Sequence, residues 1–316
     1  MAKFSICGLV GGNTGSIDCD VTRGNPTQLI FGSAAFASAS YVDSATLKAA
    51  FLTKIKQAGT ATDKLFPLPV IQGVSDKTEA AKYGSLGYGL QVKLLRSKPG
   101  YEFDVIAGSS LEKQLIKWDG KVVPVFVFDD QDNIWGILDE NAKFQGAEYL
   151  VGVEPRGFGD AQNPKTTKIT ISVVDSKDFT ENSKFASVSF STNDLAGLVD
   201  VELFETVAHT TNVYKIGARI KTDNLISTIN VHDTYATELS SSAVWEAFTG
   251  TNYGTSLAIT SVANDTTNGG WTVTFDNTAF GALSSGAKIK FKMKDPATLD
   301  AASIIGIESG SIILTK

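Results

Sequence analysis

The sequence predicts a mainly β protein of α+β class: a β-barrel or sandwich assembly domain with one or two helices over residues 1–205, followed by an immunoglobulin-like β-sandwich over residues 206–316. Three observations predict it. Short runs rich in β-branched and aromatic residues, bounded by Gly, Pro, Asn or Asp, recur along the chain. Apolar residues return at helical spacing in few places. From Thr222 to Ala287 there is no Lys or Arg, while Asp223, Asp233, Glu238, Glu246, Asp265 and Asp276 supply six acids, which puts the domain change near residue 205.

In the first domain, Ser16–Phe31, Gly89–Arg96, Glu102–Ile106, Lys121–Phe128, Ile134–Leu138, Tyr149–Val153, Lys168–Val174 and Ala186–Phe190 read as strands. Asp129-Asp-Gln-Asp-Asn133 joins two apolar runs and reads as the solvated tip of a hairpin, Val122–Leu138. Leu47, Phe51 and Ile55 recur at i, i+4 and i+8 behind Asp43 or Ser44, which predicts a capped helix ending before Gly59. A second helix, Ser109–Trp118, starts from Ser109 or Ser110 and carries Leu111, Leu115 and Trp118 on one stripe, suited to lying across a sheet.

The second domain reads as strands Asn212–Ile220, Leu225–Val231, Leu257–Ala263, Gly270–Phe275, Ala287–Met293 and Ser311–Thr315, with a short helix around Ser242–Phe248. Lys288-Ile-Lys-Phe-Lys-Met-Lys294 alternates, so Ile289, Phe291 and Met293 face a core and the lysines face out. Lysines on an exposed strand guard a sheet edge, which is the reading preferred here over a face for an anionic partner or a contact between copies.

With 316 residues, 42% apolar and 20% charged, the chain suffices for about two globular domains. No apolar window is long enough to span a membrane, and the start Met1–Gly8 does not read as a secretory leader. A net charge of −6 argues against gripping nucleic acid through phosphates. Cys7 and Cys19, twelve apart, form no CxxC and no zinc quartet, and read as buried thiols.

No motif in the sequence assembles a catalytic, cofactor or metal site. Gly8–Ser16 lacks the lysine of a phosphate loop, and Gly84–Gly89 and Gly157–Gly159 read as turns. His209 and His232 are the only histidines, with no GxSxG or HExxH beside them, and His232-Asp233 reads as a turn pair. Counting calcium-loop positions from Asp130 puts Gly136 one place late. No catalytic residue, cofactor or metal is therefore expected, and the chain is expected not to be an enzyme.

The order of elements in the first domain resembles tailed-bacteriophage virion proteins, most closely the tail tube proteins of phages of Bacteroidota hosts. The residues that carry this are Ile17-Asp-Cys-Asp-Val-Thr-Arg-Gly-Asn-Pro-Thr-Gln-Leu-Ile-Phe31, Val125-Phe-Val-Phe-Asp-Asp-Gln-Asp-Asn-Ile-Trp-Gly-Ile-Leu138 and Lys165-Thr-Thr-Lys-Ile-Thr-Ile171. The second domain, with Trp271-Thr-Val-Thr-Phe-Asp276 and Asp295-Pro-Ala-Thr-Leu299, looks like the immunoglobulin-like decorations that phage structural proteins append. The resemblance implies a self-assembling virion protein, made in the host bacterial cytoplasm, whose barrels form hexameric rings stacked into a DNA conduit. Its partners would be copies of itself and other virion proteins, with no membrane and no sequence-specific nucleic acid. Two alternatives stay open: a jelly-roll capsid protein, and a surface carbohydrate-binding or adhesin module with an aromatic groove around Trp245, Tyr253 and Trp271.

Overall fold

The computed structural model describes residues 23–37, 44–57, 61–86, 88, 90–106, 108–155, 166–222 and 227–316, and the fold is mainly β. The first half opens with β1 (Pro26–Phe31), β2 (Ala35–Ala37), α1 (Ser44–Ile55), β3 (Phe66–Pro67) and β4 (Ile71–Asp76). It continues through β5 (Lys82–Leu86), β6 (Leu90–Leu95), β7 (Gly100–Val105), α2 (Ser109–Leu115, prolonged by a 3-10 turn to Trp118) and β8 (Val122–Asp129). It closes with β9 (Asn133–Leu138), β10 (Lys143–Gln145), β11 (Ala147–Glu154), β12 (Thr167–Val173), α3 (Ser176–Asn182) and β13 (Ser183–Ser187). All these strands except β5 and β6 join one antiparallel sheet, in the order β2-β10-β9-β8-β11-β12-β7-β4, with β1 on β8, β3 on β1 and β13 on β9.

That sheet curls into a barrel-like wall. Leu29, Phe31, Phe103, Val105, Val125, Tyr149, Val151, Ile169 and Ile171 share its interior. The Leu68 N–H donates to the Leu29 carbonyl at 2.8 Å, bringing the chain that leads into β4 back against β1. Strand β8 is apolar on both faces because both are covered: Val123 and Val125 point into the barrel, while Phe126 and Phe128 meet Leu47, Phe51 and Ile55 of α1. Phe51 stacks on Phe36 at 4.7 Å and meets Phe126 edge-on at 5.2 Å. Helix α2 plugs one end of the barrel with Leu115, and Trp118 lies edge-on to Phe31 and Phe66. Its N-cap is Gly108, so Ser109 is the first helical residue and not the cap. Strand β13 also falls earlier than Ala186–Phe190, because Val188 and Phe190 leave the sheet to pack against the α1 side.

The second half contains β14 (Val199–Thr210), β15 (Val213–Lys221), β16 (Thr228–Asn230), α4 (His232–Tyr235), β17 (Trp245–Thr249), β18 (Thr255–Ser256) and β19 (Ile259–Asp265). It ends with β20 (Gly270–Phe275), α5 (Asn277–Gly281), β21 (Lys288–Met293), α6 (Pro296–Ala301), β22 (Ile307–Ser309) and β23 (Ile312–Thr315). One sheet runs β19-β20-β15-β14-β22, with β16 beside β15, and the other runs β18-β17-β21-β23. Between them lies a core with Tyr214, Trp245, Trp271, Phe275 and Phe291, all buried.

Three expectations need correction here. A boundary at residue 205 would cut through β14, whose Val201 and Leu203 are buried in the second core, so the cores divide before Val199. Only Ser242–Val244 is helical in the Ser242–Phe248 stretch; the rest is β17, where Trp245, Ala247 and Thr249 are buried in alternation. Strand β21 is not an edge, being paired to β17 on one side and β23 on the other. Its inward Ile289, Phe291 and Met293 are buried as the alternation requires. Outward, Lys292 pairs with Glu246 at 2.6 Å and Lys288 donates to Thr315 Oγ1 at 2.7 Å, so these lysines decorate a central strand.

Candidate functional site

Opposite α2, the barrel is open. The ends of β4 and β8, the starts of β1, β7 and β11, and parts of β9 and α3 surround a cavity of about 360 Å³ lined by the aromatic residues Tyr101, Phe103, Trp135, Tyr149 and Phe179. Burial of Tyr149 pushes its hydroxyl well above the usual phenol range, against the opposing charge of Arg23, so it stays a neutral donor. Arg23 lies over the mouth, its guanidinium 5.1 Å from the Trp135 ring centre and 4.6 Å from that of Phe179, and donates to Ser183 Oγ at 2.8 Å.

Asp129, expected at a solvated tip, is instead buried in the wall of the mouth. Its carboxylate accepts from the backbone N–H groups of Gly24 (3.1 Å), Gln131 (3.0 Å) and Asn133 (2.9 Å), from Asn133 Nδ2 (3.3 Å) and from Trp135 Nε1 (2.6 Å). Burial raises its pKa, but these donors outweigh that and hold the carboxyl below its ordinary value. Five donors occupy its lone pairs, so Asp129 ties the β8–β9 turn to the entry of β1 and is no general base. Asp130 accepts from the Asn25 backbone at 2.9 Å and from Asn25 Nδ2 at 3.0 Å. Asp130 and Asp132 are exposed, and Asp132 adopts a left-handed φ of 57°.

The other singled-out residues stay apart. His209 stacks on Tyr214 at 4.5 Å and faces Glu205 at 3.5 Å. His232 is buried at the start of α4, its Nε2 2.6 Å from Asn264 Oδ1, and lies edge-on to Trp271, so it braces the second core. Trp245 and Trp271 are core residues 5.8 Å apart, and Tyr253 lies elsewhere under Lys290, so no aromatic groove joins the three. Among the described residues, no three of His, Cys, Asp and Glu group as metal ligands would. No described helix is long and apolar enough to cross a membrane. Cys7, Cys19, the Gly8–Ser16 run, Gly157–Gly159 and residues 16–22 of the Ser16–Phe31 stretch lie outside the described residues.

The feature that sequence reasoning missed is the β5–β6 hairpin. It leaves the barrel between β4 and β7 as a separate two-stranded sheet. Lys77 N–H bonds to the Gly100 carbonyl at 2.9 Å, and Glu79 and Lys98 exchange backbone bonds at 2.9 and 3.0 Å, forming its base. Beyond that base Tyr83, Tyr88, Val92, Leu94 and Leu95 are all exposed. From Ala80 to Tyr101 the sequence holds Lys82, Lys93, Arg96 and Lys98 and no acid. That charge bias was the available signal; reading Gly84–Gly89 as mere turns concealed β5. No protein-family model and no curated protein matches the chain.

Proposed function

We propose that the chain is a self-assembling structural subunit, a virion protein of the tail tube kind, and not an enzyme. One observation carries the reading: the β5–β6 hairpin, a two-stranded sheet outside the three buried apolar clusters, holds five large apolar side chains in water. A lone two-stranded hairpin is at best marginally stable, and exposed apolar patches of this kind mark surfaces that a partner covers. The arm gains a stable setting when a neighbouring copy packs on it. The barrel that bears it has short strands and a plugged end, an architecture suited to a repeated unit in a wall. The net charge of −6 further favours a conduit that lets DNA slide over one that holds it.

The test is negative-stain microscopy and sedimentation of the purified chain over a range of concentrations, beside a variant with Lys82–Leu95 replaced by a short Gly-Ser turn. Rings or tubes from the native chain and monomers from the variant are expected. A native chain that stays monomeric at high concentration, alone and with other virion proteins, would sink the reading.

A further inference from the structure

We propose that the open barrel mouth of one copy is the socket for the β5–β6 arm of the next, with Tyr88 as the inserted knob; this rests on the self-assembly reading above. Tyr88 stands between the two strands of the arm, fully exposed and held at a left-handed φ of 71°. Its own arm contributes nothing to the lining of its own cavity. The cavity, at about 360 Å³, has room for a tyrosyl ring with part of a flanking side chain, and five aromatic residues on its lining suit an aromatic knob. Tyr149 lines the cavity, and its hydroxyl bonds to no described residue, which leaves a phenol for the incoming phenol to pair with.

Charge points to the same occupant. The arm is wholly basic beyond its base, with Lys82, Lys93 and Arg96. The lining of the mouth carries Asp76 and Asp129 together with the cation Arg23, and the exposed Asp130 is bonded to Asn25 of that lining. The carboxylates there outnumber Arg23, and a cationic arm entering such a rim is oriented by it and meets it faster. Knob and socket are different surfaces of one chain, so the contact is head-to-tail and propagates from copy to copy, closing into a ring if the rotation allows. A small apolar ligand in the mouth is the rival occupant.

The experiment replaces Tyr88 with p-benzoylphenylalanine in full-length chain, mixes ¹⁵N-labelled and unlabelled copies, irradiates the assembly and maps the cross-linked peptides. The expected result is cross-links between differently labelled copies, ending in peptides that contain Val74, Trp135 or Phe179. In parallel, Tyr88→Ala and Val74→Trp, the latter placing a ring in the mouth from an exposed position, are each expected to raise the concentration for half-assembly at least tenfold. Their circular dichroism should match that of the native chain. Assemblies whose cross-links stay within one copy or end elsewhere would overturn the socket while leaving self-assembly standing. So would a small molecule that co-purifies with assembled chain and is released only on unfolding. A chain that never assembles overturns both.

Discussion

Lys64 Nζ lies 2.6 Å from Glu308 Oε2, a pair 244 residues apart in sequence that ties the loop before β3 to β22. Lys64 is 5% exposed and Glu308 more open, at 25%. Lys56 and Asp300 make a second such link at 2.7 Å. The two halves therefore share ionic contacts although their apolar clusters do not mix.

Glu308→Gln is expected to destabilise the chain by about 1–3 kcal/mol, because it leaves a buried ammonium without its counter-charge. Lys64→Met, which removes that ammonium and keeps much of its volume, should cost less. Differential scanning calorimetry of both variants checks the order, and a more stable Glu308→Gln would contradict it.

Since β14 begins at Val199, a fragment of residues 199–316 is expected to unfold in one cooperative transition. The fragment 206–316 should not, having lost Val201, Leu203, the Glu202–Glu205 pairing with β15 and all the pairing with β22. Circular dichroism on heating distinguishes them; equal cooperativity would show that the first half of β14 is dispensable.

Asp129→Ala strips five donors of their acceptor and is expected to cost about 2–4 kcal/mol in urea unfolding at pH 7. The sign of its pH dependence follows from a folded pKa held below the unfolded one. The contribution is present above the unfolded value of about 3.9 and disappears as pH falls through the lower folded value. Asp129→Asn should flatten that part of the acid limb, and an unchanged limb would mean the carboxylate is not what titrates. Charge reversal at the tip should accordingly be tried at Asp132, whose side chain is exposed, and not at Asp129.

Phe291→Ala, in the centre of the second core, is expected to cost about 3–5 kcal/mol. Lys290→Thr together with Lys294→Thr should leave light scattering unchanged at high concentration, since β21 is flanked on both sides and its lysines guard no edge. Aggregation of that double variant would restore the edge role.

What the sequence by itself determined was periodicity. Leu47, Phe51 and Ile55 at spacings of four made α1, and Ile289, Phe291 and Met293 at spacings of two chose the buried face of β21. The unbroken apolar run of β8 signalled a strand covered on both sides. Periodicity names the face of an element and not its neighbours. Whether β21 is central, whether Asp129 is sunk or solvated, and whether β5–β6 joins a sheet or stands free depend on pairings between residues far apart in the chain, such as Gly24 with Asp129 and Trp245 with Met293. Those pairings are selected by how all the strands close together, a non-local choice that no window of sequence contains. The barrel mouth exists only after that closure, because its walls come from six separate strands, α3 and the start of the described chain.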